Sequence, residues 1–281
     1  MIKKMTGIKT RSAALDLMPA LVLVLVPVLS SCITTTSGGF AVETSTERAV
    51  ADYTRLAFAY YDNNDISAAR RAINNGMQLD NRNSELHHIS ALIHQREGDM
   101  ELAEESFRRA VRLQRNNSRA RNNYAAFLFT QQRFAEAHRQ LEIVTADTAY
   151  EGRAIAFENL GRSALSLERI AEAETAFQRA LTLNPGLYVS SLELADIYIS
   201  KQDWPTARRY FQQYIAASQR FFPLTPRALL AGIEIESQFA NEELTAAYAR
   251  TLETLHRDSP EYNEYKTRLM PAEPHSQTDI N

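Results

Sequence analysis

The side chains with the richest potential chemistry in this sequence are six histidines and a single cysteine. His87, His88 and His94 lie close together, and positions seven apart can share a helix face and present imidazoles to a metal ion. No H-E-x-x-H pattern, second cysteine or familiar carboxylate spacing completes a ligand set. We therefore interpret these histidines as packing residues and predict neither a metal site nor a cofactor.

Signatures of catalysis are also missing from the sequence. There is no glycine-rich phosphate loop at a helix start, since Ser37-Gly38-Gly39 lies in a polar stretch near the amino terminus. No nucleophile, base and orienting group follow one another in a recognisable order. The sequence predicts no catalytic residue, no small-molecule substrate and a protein that is not an enzyme.

The cysteine stands at the end of a segment typical of secretion signals. Residues 1–31 have a basic start, an apolar run from Leu17 to Leu29 and two small residues, Ser30 and Ser31, immediately before Cys32. An apolar run of about 13 residues is too short for an ordinary membrane span, which needs about 20. We predict a signal peptide over 1–31 and exclude it from the fold.

The string Leu29-Ser30-Ser31-Cys32 resembles the bacterial lipobox. The resemblance implies that the Cys32 sulfur carries lipid, and Ile33 in place of aspartate implies an outer-membrane destination, with the body facing the periplasm. The alternative is an unmodified cysteine near an ordinary cleavage site. Residues 32–46, which include the polar run 34–39, are predicted to form a lipid-anchored flexible tether.

Charge argues against binding to polyanions. The whole chain has a formal net charge of −3. Removing residues 1–31 takes away four basic residues and one acidic residue, so that the mature chain is more acidic still. Positive and negative residues are interspersed, so we predict no nucleic-acid partner.

Residues of one size recur through the chain at a fixed phase. Alanines recur at spacings of 34, 34, 36 and 34 residues, at Ala69, Ala103, Ala137, Ala173 and Ala207. Twelve residues before each stands a small residue: Ala57, Ala91, Ala125, Gly161 and Ala195. Four residues after each stands a larger one: Ile73, Phe107, Leu141, Phe177 and Phe211. The pattern predicts stacked helical hairpins in which small residues allow close approach.

Polar turn residues fall between the helices in the same phase. A weaker sixth unit has Gly232 as its small residue, Leu244 in the alanine position and Tyr248 as its large residue. The fold class is therefore predicted to be all-α, an α-α superhelix of about six helix pairs over residues 47–258. A short capping helix is expected over 259–270 and a disordered tail over 271–281.

The period resembles the tetratricopeptide repeat, most clearly from Phe157 to Pro185. A closer match is carried by two pairs of segments and three single segments. The pairs are 94–98 with 101–105 and 122–124 with 127–128, and the single segments are 147–150, 157–161 and 230–233. With these residues the chain resembles the type IV pilus biogenesis lipoprotein family PilF/PilW, the secretin pilotins. The resemblance implies a protein partner, the pilus secretin, whose localisation and multimerisation it would promote, and a role in twitching motility. The alternative function is a general envelope adaptor that recruits peptidoglycan enzymes or outer-membrane assembly factors.

Partner binding is expected on the inner face, which the first helix of each pair lines. Counting along those helices places apolar residues in this groove: Phe58, Tyr61, Leu92, Phe129 and Leu192. Asn122 and Glu158 are expected to hydrogen-bond across helices or to a ligand backbone. The alternative is that the superhelical twist buries several of the apolar residues between repeats.

Overall fold

The computed structural model describes residues 45–218 and 224–269, and these residues form helices and the turns between them. The predicted signal peptide, Cys32, nearly all of the tether and the tail over 271–281 lie outside the described residues. Among the helices described, none is both long enough and apolar enough to cross a bilayer.

Twelve helices in the described residues pair into six hairpins, followed by a short thirteenth helix. Their bounds are α1 Thr46–Asp62, α2 Ile66–Leu79, α3 Ser84–Glu97, α4 Met100–Leu113, α5 Ser118–Thr130, α6 Phe134–Ala146, α7 Arg153–Ser166, α8 Ile170–Leu183, α9 Tyr188–Ser200, α10 Trp204–Ser218, α11 Pro226–Gln238, α12 Glu242–His256 and α13 Pro260–Glu264. The predicted all-α tetratricopeptide-repeat superhelix is confirmed.

Close packing of small against large side chains holds each hairpin together. The phased alanines and their small partners are fully buried, and Phe107 and Phe177 have no exposed surface. Gly161 lies directly against Phe177, since a Cβ built on the glycine would come within 2.6 Å of the ring. The predicted residues of the hairpin interface therefore make the contacts that their sizes imply.

The turn inside each hairpin places one residue in the left-handed region. These residues are Asn64, Gly98, Gln132, Glu168, Gln202 and Ala240, with φ between 51° and 88°. Only Gly98 has no Cβ, so the other five positions carry the steric cost of this conformation. Repetition of this turn keeps the successive hairpins in phase.

The prediction for Leu244 was wrong. Leu244 is 39% exposed. Thr245 takes the place of the phased alanines, because its amide donates a hydrogen bond to the carbonyl of the N-cap residue Asn241, just as the amide of each phased alanine does in its own helix. The left-handed residue Ala240 lies one position later relative to Gly232 than in the other hairpins, which shifts α12 by one residue. Tyr248 nevertheless packs on Gly232 as predicted.

The end of the superhelix is covered by α13 and a single π-helical turn, Tyr265–Leu269. Tyr262 is buried against Leu229, Ile233 and Leu252 of the last hairpin. An ion pair between Arg268 and Glu234 fastens the same segment to α11. These helical residues fall within the 259–270 segment for which a cap was predicted, and they shield the last hairpin from water.

The left-handed turns lead to a test of stability. Gln132→Gly and Glu168→Gly should each raise the free energy of unfolding by about 0.5 kcal/mol, because glycine adopts positive φ without the Cβ penalty. Gly98→Ala should lower it by about 1 kcal/mol, although an added Cβ there meets no atom within 4 Å. Thermal and urea unfolding of the mature domain would measure both effects. A stabilising Gly98→Ala would contradict this account of the turn.

Candidate functional site: the concave face

The first helices of the hairpins line the inner, concave side of the superhelix. Each of α1, α3, α5, α7 and α9 contacts the next first helix, whereas the second helices contact their own partner and the following first helix. Elements on the inside of a curved array lie closer together than those on the outside. The side chains of the odd-numbered helices therefore form the face available for a ligand.

A first depression on this face spans hairpins one to three and has a volume of about 340 Å³. Its lining combines aromatic, apolar and polar groups: Phe58, Tyr61, Asp62, Leu92, Gln95, Arg119, Asn123 and Ala126. Such a mixture of flat apolar surface with a few polar groups suits an extended peptide.

A second depression of about 150 Å³ adjoins the first, since Ala126 lines both. Its wall contains Phe129, Thr130, Asn159 and Arg162. The two depressions together form a continuous groove over the first four hairpins, which we call the amino-terminal groove.

Four of the residues predicted to bind a partner lie in this groove. Phe58, Tyr61 and Leu92 line the first depression and Phe129 the second, and all four are partly exposed. The structure thus brings these side chains onto one surface, although whether they bind a partner stays a prediction.

The other three predicted residues, Leu192, Asn122 and Glu158, make contacts within the superhelix. Leu192 is only 7% exposed and packs with Ala195 and Phe211, so the prediction that it faces an open groove was wrong. Asn122 is 8% exposed, and its side-chain oxygen accepts a hydrogen bond from Asn159 at 3.3 Å.

Glu158 is held by the next hairpin. Its carboxylate accepts hydrogen bonds from the backbone and the hydroxyl of Ser190, at 3.0 and 2.8 Å. Because these bonds join neighbouring hairpins, Glu158 and Asn122 fix the spacing of the repeats, as the prediction of hydrogen bonds across helices anticipated.

Three arginines that the sequence interpretation missed lie over aromatic rings of the groove. Arg119 stacks on Phe58 with its guanidinium carbon 3.8 Å from the ring centre, and Arg162 stacks on Phe129 at 4.9 Å. Arg96 covers the Tyr61 ring at 4.4 Å. Each contact covers one face of a guanidinium with a ring. Arg119 and Arg162 stay exposed, whereas Arg96 donates hydrogen bonds to the Tyr61 carbonyl and to Asn64. The three arginines stand at different positions within their repeats, so the periodic pattern does not point to them, and a search for apolar residues passes over them.

A buried polar network supports the floor of the groove. His88 is fully buried beside Phe58, with ring centres 5.4 Å apart. Its Nε2 accepts a hydrogen bond from Asn123 at 2.8 Å, which places the proton on Nδ1, where it is donated to Glu85 at 3.2 Å. Asn117 donates to the other oxygen of Glu85.

Burial lowers the pKa of His88, and its hydrogen bond to Glu85 opposes this effect only in part. Burial by itself raises the pKa of Glu85, but the His88 hydrogen bond and the positive charge of Arg119 outweigh it, so that the net change is a decrease. The network is therefore a neutral imidazole beside an ionised carboxylate at neutral pH.

The three clustered histidines do not share a ligand site. His87 contacts the Asn81 carbonyl, while His94 lies 3.9 Å from Asp99 and close to Glu97. The sequence shows no carboxylate at a familiar metal-ligand spacing, yet the turn at Gly98 brings the carboxylates of Glu97 and Asp99 close to His94.

A second such group contains His138, Glu142 and Glu172. His138 is buried and contacts Ser163 at 3.0 Å and Glu172 at 2.8 Å. Glu172 also lies 3.5 Å from Arg169. These contacts connect the third and fourth hairpins and account for the position of the imidazole.

The carboxyl-terminal half of the concave face has a different charge arrangement. Arg227 pairs with both Glu193 and Asp196, and Glu234 pairs with Arg268. Burial raises the pKa of Asp196 even though Arg227 opposes this effect. Arg227 and Arg268 are therefore both paired with carboxylates of the chain itself.

The His88 network predicts a pH dependence of stability. Because the pKa of His88 is lower in the folded chain than its ordinary value of 6.5, the unfolded chain binds the proton more tightly. The free energy of unfolding should fall as pH drops below 6.5, by up to about 1.4 kcal/mol per pH unit, and Glu85 adds a further loss below pH 4.5.

Urea unfolding between pH 7.5 and 5 measures this slope. His88→Gln should flatten it, whatever its effect on absolute stability, and the partly exposed His87→Gln should leave it unchanged. An equal slope in the wild-type and His88→Gln proteins would contradict the proposed role of burial.

Known proteins with the same fold and related sequences fall into two groups. The tetratricopeptide-repeat family profile matches residues 90–142 and 127–188. The tetratricopeptide-repeat protein YrrB superposes with a TM-score of 0.57 at 14% identity over 70% of this chain and 98% of YrrB, which shows a shared fold alone.

The second group is closer in sequence. The type IV pilus assembly protein PilF of Pseudomonas aeruginosa is 29% identical over 248 residues, which are 88% of this chain and 97% of PilF. Its solved structure superposes with a TM-score of 0.74 and covers 79% of this chain and 98% of that chain.

A crystal structure of PilW, described as a widely conserved type IV pilus biogenesis factor, matches with a TM-score of 0.63 at 25% identity. It covers 78% of this chain and 99% of PilW. These two structures cover 79% and 78% of this chain, a longer part than residues 90–188, which contain the matches to the repeat profile. The resemblance of the chain to the tetratricopeptide-repeat proteins of type IV pilus biogenesis, the family of PilF and PilW, is therefore confirmed.

Proposed function

We propose that this protein is an outer-membrane lipoprotein that promotes the localisation and multimerisation of the type IV pilus secretin by binding it. The observation that carries the proposal is the correspondence with PilF over 97% of the length of that assembly protein. A shared repeat alone would support only a general binding scaffold, because arrays of this fold serve many partners.

The groove provides a physical reason for binding a protein partner. Phe58, Leu92 and Phe129 leave apolar surface partly exposed in adjoining depressions. Covering this surface with a peptide side chain removes apolar area from water, while the stacked arginines provide hydrogen-bond donors at the rim. A preformed groove also avoids the entropy cost of ordering a flexible site.

The proposed anchor depends on Cys32, at the end of the signal-like segment. Each methylene of an acyl chain contributes about 0.8 kcal/mol on entering a membrane, so several chains hold a protein durably. A lipid at the amino terminus would keep the body beside the outer membrane, where a secretin ring must assemble.

Loss of the groove should impair secretin assembly. Leu92→Ala and Phe129→Ala should each lower the affinity for the secretin about thirtyfold, since a residue at the centre of an interface contributes about 2 kcal/mol. Fewer heat-resistant secretin multimers on a denaturing gel, together with reduced twitching, would report the loss.

Matched controls lie on the second helices. Leu102 and Ile143 are each 48% exposed, so Leu102→Ala and Ile143→Ala remove comparable apolar groups away from the groove. Thermal unfolding of each variant separates loss of binding from loss of folding. Normal multimers and twitching in a strain that lacks the gene would rule out the pilotin function and favour the general adaptor.

Anchoring has a separate test. Cys32→Ser should abolish incorporation of labelled palmitate and move the protein from membranes to the soluble periplasmic fraction, because no thiol remains to carry lipid. Ser37→Ala, in the same segment, should change neither property. Flotation of the Cys32→Ser protein with outer membranes would refute the lipid anchor.

A further inference from the structure

The amino-terminal groove concentrates positive charge on a chain whose net charge is negative. Arg96, Arg119 and Arg162 all lie along it, and none forms an ion pair with a carboxylate among the described residues. By contrast, Arg227 in the carboxyl-terminal half contacts two carboxylates. Arginines without an ion-pair partner in one half of the face are a specific feature that repeat packing does not require.

Stacking holds these guanidinium groups in place. The rings of Phe58 and Phe129 each cover one face of an arginine, and the side chains of Arg119 and Arg162 are otherwise exposed. An aromatic ring restrains the planar group while its N–H donors stay available, which suits bidentate binding of a carboxylate. Arg96 is further fixed by hydrogen bonds to the Tyr61 carbonyl and to Asn64.

Two carboxylates of the chain lie near these arginines. Asp62 lines the first depression, and Glu85 lies beneath it in the His88 network. Glu85 accepts hydrogen bonds from His88 and Asn117, and the positive charge of Arg119 helps to lower its pKa. Arg96, Arg119 and Arg162 against these two carboxylates leave one positive charge in excess. It lies beside the apolar surface of Leu92 and Phe129.

We propose that the amino-terminal groove binds an acidic segment of its protein partner, with carboxylates on Arg119 and Arg162 and an apolar side chain between them. This inference rests on the proposed function for the identity of the partner, but not for the chemistry of the segment. The two arginines belong to adjacent first helices, α5 and α7, so their charged groups lie roughly 10–20 Å apart. An extended segment of roughly four to six residues spans that distance.

The experiment uses the mature chain with Cys32→Ser and three fluorescent twelve-residue peptides. All have leucine at every third position, and the remaining positions are mostly glutamate, glutamine or lysine. Fluorescence anisotropy should show the glutamate peptide binding at least tenfold more tightly than the glutamine peptide. Raising the salt concentration should remove most of this difference, because exposed ion pairs are screened.

Variants connect this preference to the groove. Arg119→Gln with Arg162→Gln should abolish the preference for glutamate, and Arg119→Glu with Arg162→Glu should transfer it to the lysine peptide. The transfer is a gain of binding that a misfolded protein cannot show. Arg109→Gln with Arg139→Gln, which changes two exposed arginines of second helices, is the matched control and should keep the parental preference.

The inference is overturned if the three peptides bind equally, or if the glutamine variants retain the preference for glutamate. Failure of the proposed function looks different: the glutamate preference and its reversal would be present, while secretin multimers formed normally in cells carrying the glutamate variants. Impaired multimers without any charge preference would overturn the acidic-segment inference alone.

Discussion

Close contact between one small and one large residue sets the geometry on which the superhelix depends. In the fourth hairpin the large residue is Phe177, whose ring lies where a Cβ of Gly161 would be, and in the sixth Tyr248 lies against Gly232 in the same way. The distance between the two helices of a hairpin is thereby fixed, and the left-handed turn fixes its phase. Because every hairpin packs in this way, the first helices are brought together along one face. The groove is a consequence of this packing, since its walls are formed by side chains of the first helices that are not buried in the hairpin cores.

The sequence predicted what periodicity encodes. The fixed spacing of alanines and large residues predicted the fold and the hairpin interfaces. A small residue on the first helix and a large residue on the second can recur in this way only where the two helices pack against each other. The spacing failed at Leu244, where one added turn residue at Ala240 shifts the phase of α12. It also failed at Leu192, because helix periodicity identifies the side of a helix but not whether the next hairpin covers it. Tertiary contact decides the second question.

The chemistry of the groove was harder to predict than its position. Phe58, Leu92 and Phe129 were found as apolar residues on first helices, but Arg119 and Arg162 look in the sequence like ordinary solvated charges. Their role depends on which ring each one reaches, and Arg119 reaches a phenylalanine two hairpins earlier in the chain. Contacts of that range have no local sequence signal. The buried His88 was predicted as a packing residue, but its bond to Asn123 of the next hairpin was not.

The His88 network also explains how the groove can hold fixed charges above a hydrophobic core. A neutral imidazole fits against Phe58 and Phe107, and it hydrogen-bonds both Glu85 and Asn123. Unpaired polar atoms at this depth would weaken the packing, whereas a satisfied network makes it rigid. Because Arg119 stacks on the same Phe58 ring, the orientation of its guanidinium depends on the packing of His88 below. A change at His88 should therefore alter affinity for the proposed acidic segment as well as stability, although the imidazole itself lies beneath the surface of the groove.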